Sequence, residues 1–258
     1  QSDDISKALF KCCSTIKVIT TPERNMLQRL STMILSNKPD MSVRLKSAEY
    51  SINLQDVLAN ETLDLIQIEG LEMGTYLTDI LDYYHDKTHR PTIIYDAHNA
   101  ETVIQRRAIR ADISKPKRWA TAFYSMVQLR RIRAFELETC SNADAVICVS
   151  HEDSTALKKL VFRLNPTVLP NGIFLSDYPE TTQHAEITPP ALVFSGKMDY
   201  RPNIDAVVWF ADEIFPSVQQ LHDKAKFIIV GKSPTGRVLK LANEPGITVT
   251  GAVNDIRP

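Results

Sequence analysis

The stretch IIYDAHNAE, residues 93–101, opens as an apolar run and then sets Asp96, His98, Asn99 and Glu101 within six positions. Unpaired polar groups are costly in a core, so such a cluster marks a strand that emerges from the interior at a ligand-accessible edge. Six similar short runs surround it: IKVIT (16–20), LDLIQIE (63–69), DAVICVS (144–150), ALVFS (191–195), KFIIV (226–230) and ITVT (247–250). Longer segments with helical period separate them, which predicts βαβ units and an α/β fold on parallel sheets. The runs are apolar throughout, as expected when helices cover both faces of a sheet.

Two segments show how these helices begin and pack. Residues 152–163 follow Ser150 and Asp153, a capping-box-like start, and 203–221 carries apolar residues at helical spacing. One stretch breaks the alternation. From 170 to 190 the chain holds four prolines and neither period, the signature of a linker. The reading is therefore an N-terminal domain over 1–172 with about four strands and a C-terminal domain over 173–258 with three. Three strands make half of a doubly wound domain, so the second domain reads as partial.

Composition narrows the function classes. Thirty basic residues against 31 acidic ones leave a formal charge of −1, so no global field recruits nucleic acid or membrane, and any such attraction is local. Four cysteines without CxxC spacing suggest a reducing, cytoplasmic compartment. No apolar run approaches the ~20 residues of a membrane span, and no signal peptide is expected. The chain starts at Gln1 without methionine and stops at Pro258 after a strand-like run, so both ends read as cut.

In parallel α/β sheets ligands bind at the carboxyl ends of the strands. Those ends read Glu69-Gly70, Asp96-Ala97-His98, Ser150-His151, Ser195-Gly196-Lys197 and Gly231-Lys232. Helix N-termini at such ends favour an anion, and Lys197, Arg201 and Lys232 can add the charge that firm phosphate binding needs. Gly231 and Gly236 have the spacing of a P-loop, but the Lys-Ser/Thr after the second glycine is missing. No GxGxxG occurs, which argues against a dinucleotide oxidoreductase, and no DxD occurs either.

The motifs YDAHNAE (95–101), LPNG (169–172), VFSGKMDYRPNIDAVVWF (193–210), IVGKSP (229–234) and VTGAVNDIRP (249–258) together resemble the family 4 glycosyltransferases of the GT-B fold. The similarity is to the subgroup of bacterial sugar transferases found in exopolysaccharide and exosortase gene clusters. The resemblance implies two Rossmann-like domains facing each other across a nucleotide-sugar site, and retention of anomeric configuration. It implies that His98 contacts the donor sugar and β-phosphate, that Lys197 and Arg201 neutralise the leaving diphosphate, and that no metal is required. Gly196, Asn203, Gly231, Lys232, Gly251 and Val253 would complete the donor side, partly through backbone atoms. The nucleotide sugar is a substrate, and no further cofactor is implied. Two parts of the family pattern are missing: a first strand with its glycine loop before Gln1, and a carboxylate pair beyond Pro258. Little transferase activity is therefore expected of the 258-residue chain alone.

His85 and His89 sit four apart without a third ligand and read as solvated surface. Residues 106–133 carry nine Lys/Arg against Asp112 alone, interleaved with Trp119, Phe123, Tyr124, Met126 and Val127. Such a run is either one solvated helix face or an amphipathic segment that docks on an anionic membrane, with Arg130, Arg131 and Arg133 on the acceptor or membrane side. The leading expectation is a cytoplasmic glycosyltransferase, peripheral on the inner membrane face, moving sugar to a glycan or lipid-linked acceptor. The alternatives are a nucleotide-sugar epimerase of similar fold and a non-catalytic nucleotide-binding fragment.

Overall fold

The computed structural model describes residues 9–25, 28, 31–32, 36–113, 119–177 and 190–255. The chain divides into two compact units, Gln1–Gly172 and Ile173–Pro258. Most of the proline-rich stretch expected as a linker, residues 178–189, lies outside the described residues.

The first unit runs α1 (Asp40–Arg44), α2 (Ala48–Asn60), β1 (Leu65–Glu69), α3 (Gly70–Met73), α4 (Leu77–Tyr84), β2 (Thr92–Ala97), α5 (Glu101–Ile113), α6 (Trp119–Asn142), β3 (Ala145–Cys148), α7 (His151–Leu160) and β4 (Thr167–Val168). Its sheet has the order β1-β2-β3-β4, and every pair is parallel. Alternation along β2 sorts its side chains: Ile93, Tyr95 and Ala97 are fully buried, and Ile94 and Asp96 on the other face are half-buried. Asp144 ties the starts of two strands together, because its carboxylate accepts from the Ile93 amide at 2.8 Å and from both Arg90 terminal nitrogens at 2.6 and 2.7 Å. The Arg90 guanidinium holds that carboxyl below its ordinary range. Cys140 and Cys148 are buried free thiols, and burial pushes Cys140 up to about 12.

Two expectations are corrected here. IKVIT is not a strand: residues 15–25 form no regular structure, and Val18 is 83% exposed. A strand needs a ladder, and among the described residues β1 pairs with β2 alone, while Lys17 reaches across to Asp56 on α2 at 2.7 Å. The fourth strand is instead Thr167–Val168, too short to show a period in sequence. The basic segment is also not one amphipathic element. It forms parts of two helices, α5 and α6. Lys115, Lys117 and Arg118 lie outside the described residues.

The second unit runs β5 (Ala191–Ser195), α8 (Arg201–Trp209), a π-turn over Phe210–Ile214, α9 (Phe215–Leu221), β6 (Lys226–Val230), α10 (Gly236–Leu239) and β7 (Ile247–Gly251). Its sheet is parallel in the order β5-β6-β7. The π-turn ends two residues before Pro216, whose missing amide proton removes a helical hydrogen bond. Phe210, Phe215 and Phe227 gather with centroids 4.7 to 6.5 Å apart over a core of Val207, Ile229 and Val238. Each such buried side chain contributes about 1.5–3 kcal/mol.

Candidate functional site

Glu69 and Asp96 end neighbouring parallel strands in register. Gln67, two residues before Glu69 and so on the same face of β1, donates from Nε2 to Glu69 Oε1 at 2.6 Å and to Asp96 Oδ2 at 3.1 Å. The other oxygen, Glu69 Oε2, stands 2.8 Å from His98 Nε2, and both of these side chains are more than half exposed. Gly70 makes the cluster possible: at φ +75 it turns the chain from β1 directly into α3 beneath the His98 ring. Glu69, Asp96 and His98 each place one donor atom within 4.8 Å of the others. A histidine with two carboxylates is a recognised donor set for divalent metals, but the Gln67 amide already donates to both carboxylates, as a bound cation would bridge them.

The helix after this strand is closed to anions. Its first amides meet carboxylates of the protein itself: Ala100 N donates to Asp153 Oδ1 at 2.9 Å, Glu101 N to Glu136 Oε1 at 2.7 Å and Thr102 N to Glu136 Oε2 at 3.2 Å. The expectation that helix N-termini at the strand ends receive phosphate therefore fails for α5. Glu136 is 1% exposed, and burial raises its carboxyl above the ordinary range. Glu101 is raised likewise, first by burial and then by the charge of Glu136. Asp153 is held at the start of α7, where its amide donates to Ser150 Oγ at 3.1 Å, the cap that the sequence suggested.

In the second unit the loops after β5 and β6 interlock through backbone atoms. Gly196 N donates to Val230 O, Met198 N to Lys232 O and Gly231 N to Gly251 O, all at 2.9–3.0 Å. A Cβ at Gly231 would stand 1.7 Å from Gly196 O, and one at Gly196 would stand 2.7 Å from Asn203 Nδ2. Asn203 in turn donates to Lys197 O at 3.0 Å, so its amide shapes the loop. Cations follow these glycines in the chain, Lys197 after Gly196 and Lys232 after Gly231. Lys197 pairs with Asp199 at 3.3 Å, Arg201 with Asp205 at 3.5 Å, and Arg237 with the other oxygen of Asp205 at 2.9 Å. The Tyr200 side chain does not cap α8, and Lys232 is exposed.

Residues 189–258 match the family model described as glycosyl transferases group 1. No curated protein matches the chain in sequence. Among solved structures, the N-terminal domain of Candida albicans trehalose-6-phosphate phosphatase is similar at a TM-score of 0.51 and 13% identity, over 100% of this chain and 65% of that one. The apo structure of OtsA is similar at 0.48 and 11% identity, over 95% of this chain and 66% of that one. The chain thus spans just under two thirds of the length of these structures. The first likeness shows the fold: an α/β chain with parallel sheets of the GT-B kind.

The glycosyl transferases group 1 segment contains the loops after β5, β6 and β7, and hence Gly196, Lys197, Arg201, Asn203, Gly231, Lys232, Gly251 and Val253. Backbone hydrogen bonds join Gly196, Gly231, Lys232 and Gly251 into one body, whereas Val253 is exposed beyond the end of β7. Sequence reasoning missed Arg237 and Asp205 in this segment and Gln67 and Glu136 in the first unit. Gln67 was findable from its place two residues before a strand-end carboxylate. Nothing local marks Glu136, which sits in the middle of a helix.

The three arginines grouped on the acceptor or membrane side separate into two places. Arg130 and Arg131 line a groove with Asn37, Phe123 and Met126, where Phe123 is 62% exposed. Arg133 lines a different cavity.

Proposed function

We propose that this chain forms part of a glycosyltransferase that moves a sugar from a nucleotide diphosphate donor to a hydroxyl of a glycan or lipid-linked acceptor, with retention and without a metal ion. The observation that carries this reading is where the glycosyl transferases group 1 match falls: on glycine-built loops that carry Lys197 and Lys232, with Arg201 and Arg237 in the first turns of the helices that follow. As the bond between the sugar and the diphosphate breaks, negative charge grows on the leaving oxygens, and fixed cations beside it lower the barrier. Gly196, Gly231 and Gly251 let backbone amides approach the nucleotide where a side chain would stand in the way. His98, whose Nε2 stands 2.8 Å from Glu69, is the donor-sugar contact that the family resemblance implies.

The test is sugar transfer, or donor hydrolysis, by the full-length protein at saturating donor. Lys197→Ala should lower turnover about 100-fold to 1,000-fold, the usual effect of removing one such stabiliser, with thermal stability unchanged. His98→Ala should lower it as well. Undiminished turnover in Lys197→Ala would overturn the role, and epimerised donor formed without any acceptor would point to an epimerase.

Among the described residues no helix is long and apolar enough to cross a membrane. The exposed apolar and basic groove at Phe123, Met126 and Arg130 suits peripheral docking on an anionic leaflet at the cytoplasmic face. Each cation near such a surface contributes about 1 kcal/mol, so Arg130→Glu should reduce sedimentation with anionic liposomes severalfold. Arg133→Glu, in another cavity, should change it little. A wild-type chain that never sediments refutes docking.

A further inference from the structure

We propose that the first unit holds a separate binding site for a small phosphorylated sugar, in the cavity walled by α5, α6 and α7. The cavity measures about 300 Å³, at the small end of the range for small-molecule pockets. Arg106 from α5, Arg133 from α6 and Lys159 from α7 line it, so three cations converge from three helices. Among the described residues none of the three has an ion-pair partner. Arg24, Arg44, Arg90 and Arg237 do, with Asp40, Glu72, Asp144 and Asp205, whereas Arg107, Arg110 and Arg130 have none among the described residues; what distinguishes the three is that they line one cavity. Charge left uncompensated on a concave surface is charge available to a ligand, and a phosphate accepts from several such donors at once.

The rest of the lining argues for a sugar phosphate over a bare anion. Two carboxylates are present. Glu136 has each of its oxygens engaged by a backbone amide, of Glu101 and Thr102. Glu152 is exposed in the first turn of α7, where it can accept from hydroxyls and repels a small anion that brings none. Val103, Ala156 and Leu160 supply an apolar wall against which the carbon face of a sugar ring can lie. No residue of the His98 cluster or of the second unit lines this cavity, so the site is independent of the transferase reading.

The test is calorimetric titration of the full chain with a hexose 6-phosphate, inorganic phosphate and the neutral hexose. Saturable binding of the hexose phosphate is expected, tighter than phosphate alone, with none of the hexose. Arg106→Gln and Arg133→Gln should each weaken it at least about tenfold, as loss of a charge-assisted hydrogen bond does, with circular dichroism unchanged because both side chains are exposed. Glu152→Gln should weaken the hexose phosphate and tighten inorganic phosphate. Lys197→Ala should leave this affinity unchanged, which separates the outcome from that of the donor loops. Absence of saturable binding, equal affinity in Arg106→Gln, or phosphate binding as tightly as the hexose phosphate would each overturn the assignment.

Discussion

After β2 and after β5 the chain makes the same move, from a parallel strand through a short loop into a helix, yet the two places are filled in opposite ways. After β2 the first amides of α5 are taken by Glu136 and Asp153, and the surface beside them carries Glu69, Asp96 and His98. After β5 the N-cap side chain, Tyr200, accepts from no helix amide, glycines bring two loops into contact, and Lys197, Arg201 and Arg237 stand against Asp199 and Asp205. One topology thus yields an end closed to anions and an end suited to them. Topology says where a ligand can sit; side chains arriving from distant elements decide its charge.

The comparison is broken most forcefully at Gly231. Alanine there would set a Cβ 1.7 Å from Gly196 O. Separation of the two loops should cost more than about 4 kcal/mol, read by chemical denaturation of the second unit, with nucleotide binding lost. A variant that keeps wild-type stability and binding would show that the loops need not touch.

Glu136→Ala sharpens the other side. It strands one buried and one partly buried amide, and loss of their hydrogen bonds to a carboxylate should cost about 2–4 kcal/mol in denaturant titration. The pH profile gives a second reading. Burial raises Glu136 and Glu101 above their ordinary values, so the folded chain binds more protons than the unfolded one in that window. Stability should therefore fall as pH rises from the ordinary carboxylate range through the folded values. The Ala variant should show a shallower slope, with Glu101 keeping the remainder.

The smallest effect is expected at Arg237, whose exposed pairing with Asp205 contributes at most about 1 kcal/mol to stability. Arg237→Ala should change the midpoint of unfolding little while weakening donor affinity a fewfold. An unchanged affinity would remove Arg237 from the donor-binding cations.

Much of this was legible before any coordinates, and the exceptions share a cause. TIIYDAH announced a buried strand with polar groups at its carboxyl end, because period and composition are local. Ser150 and Asp153 marked a helix start for the same reason. IKVIT had the composition of a strand but, among the described residues, no strand pairs with it, and Thr167–Val168 had a partner but almost no length. Pairing is a property of neighbours in space, which a run of β-branched residues does not record.

The sequence by itself determined the parallel α/β class and the strand ends at which polar residues and glycines collect, since each follows from side-chain period and composition within a few residues. Only the tertiary structure decided that Glu136, in the middle of α6, closes the helix after β2, that Asp205 holds both Arg201 and Arg237, and that Arg130 and Arg133 serve different surfaces. These depend on which residues far apart in the chain come within hydrogen-bond reach, and that reach is set by the packing of whole helices on a sheet.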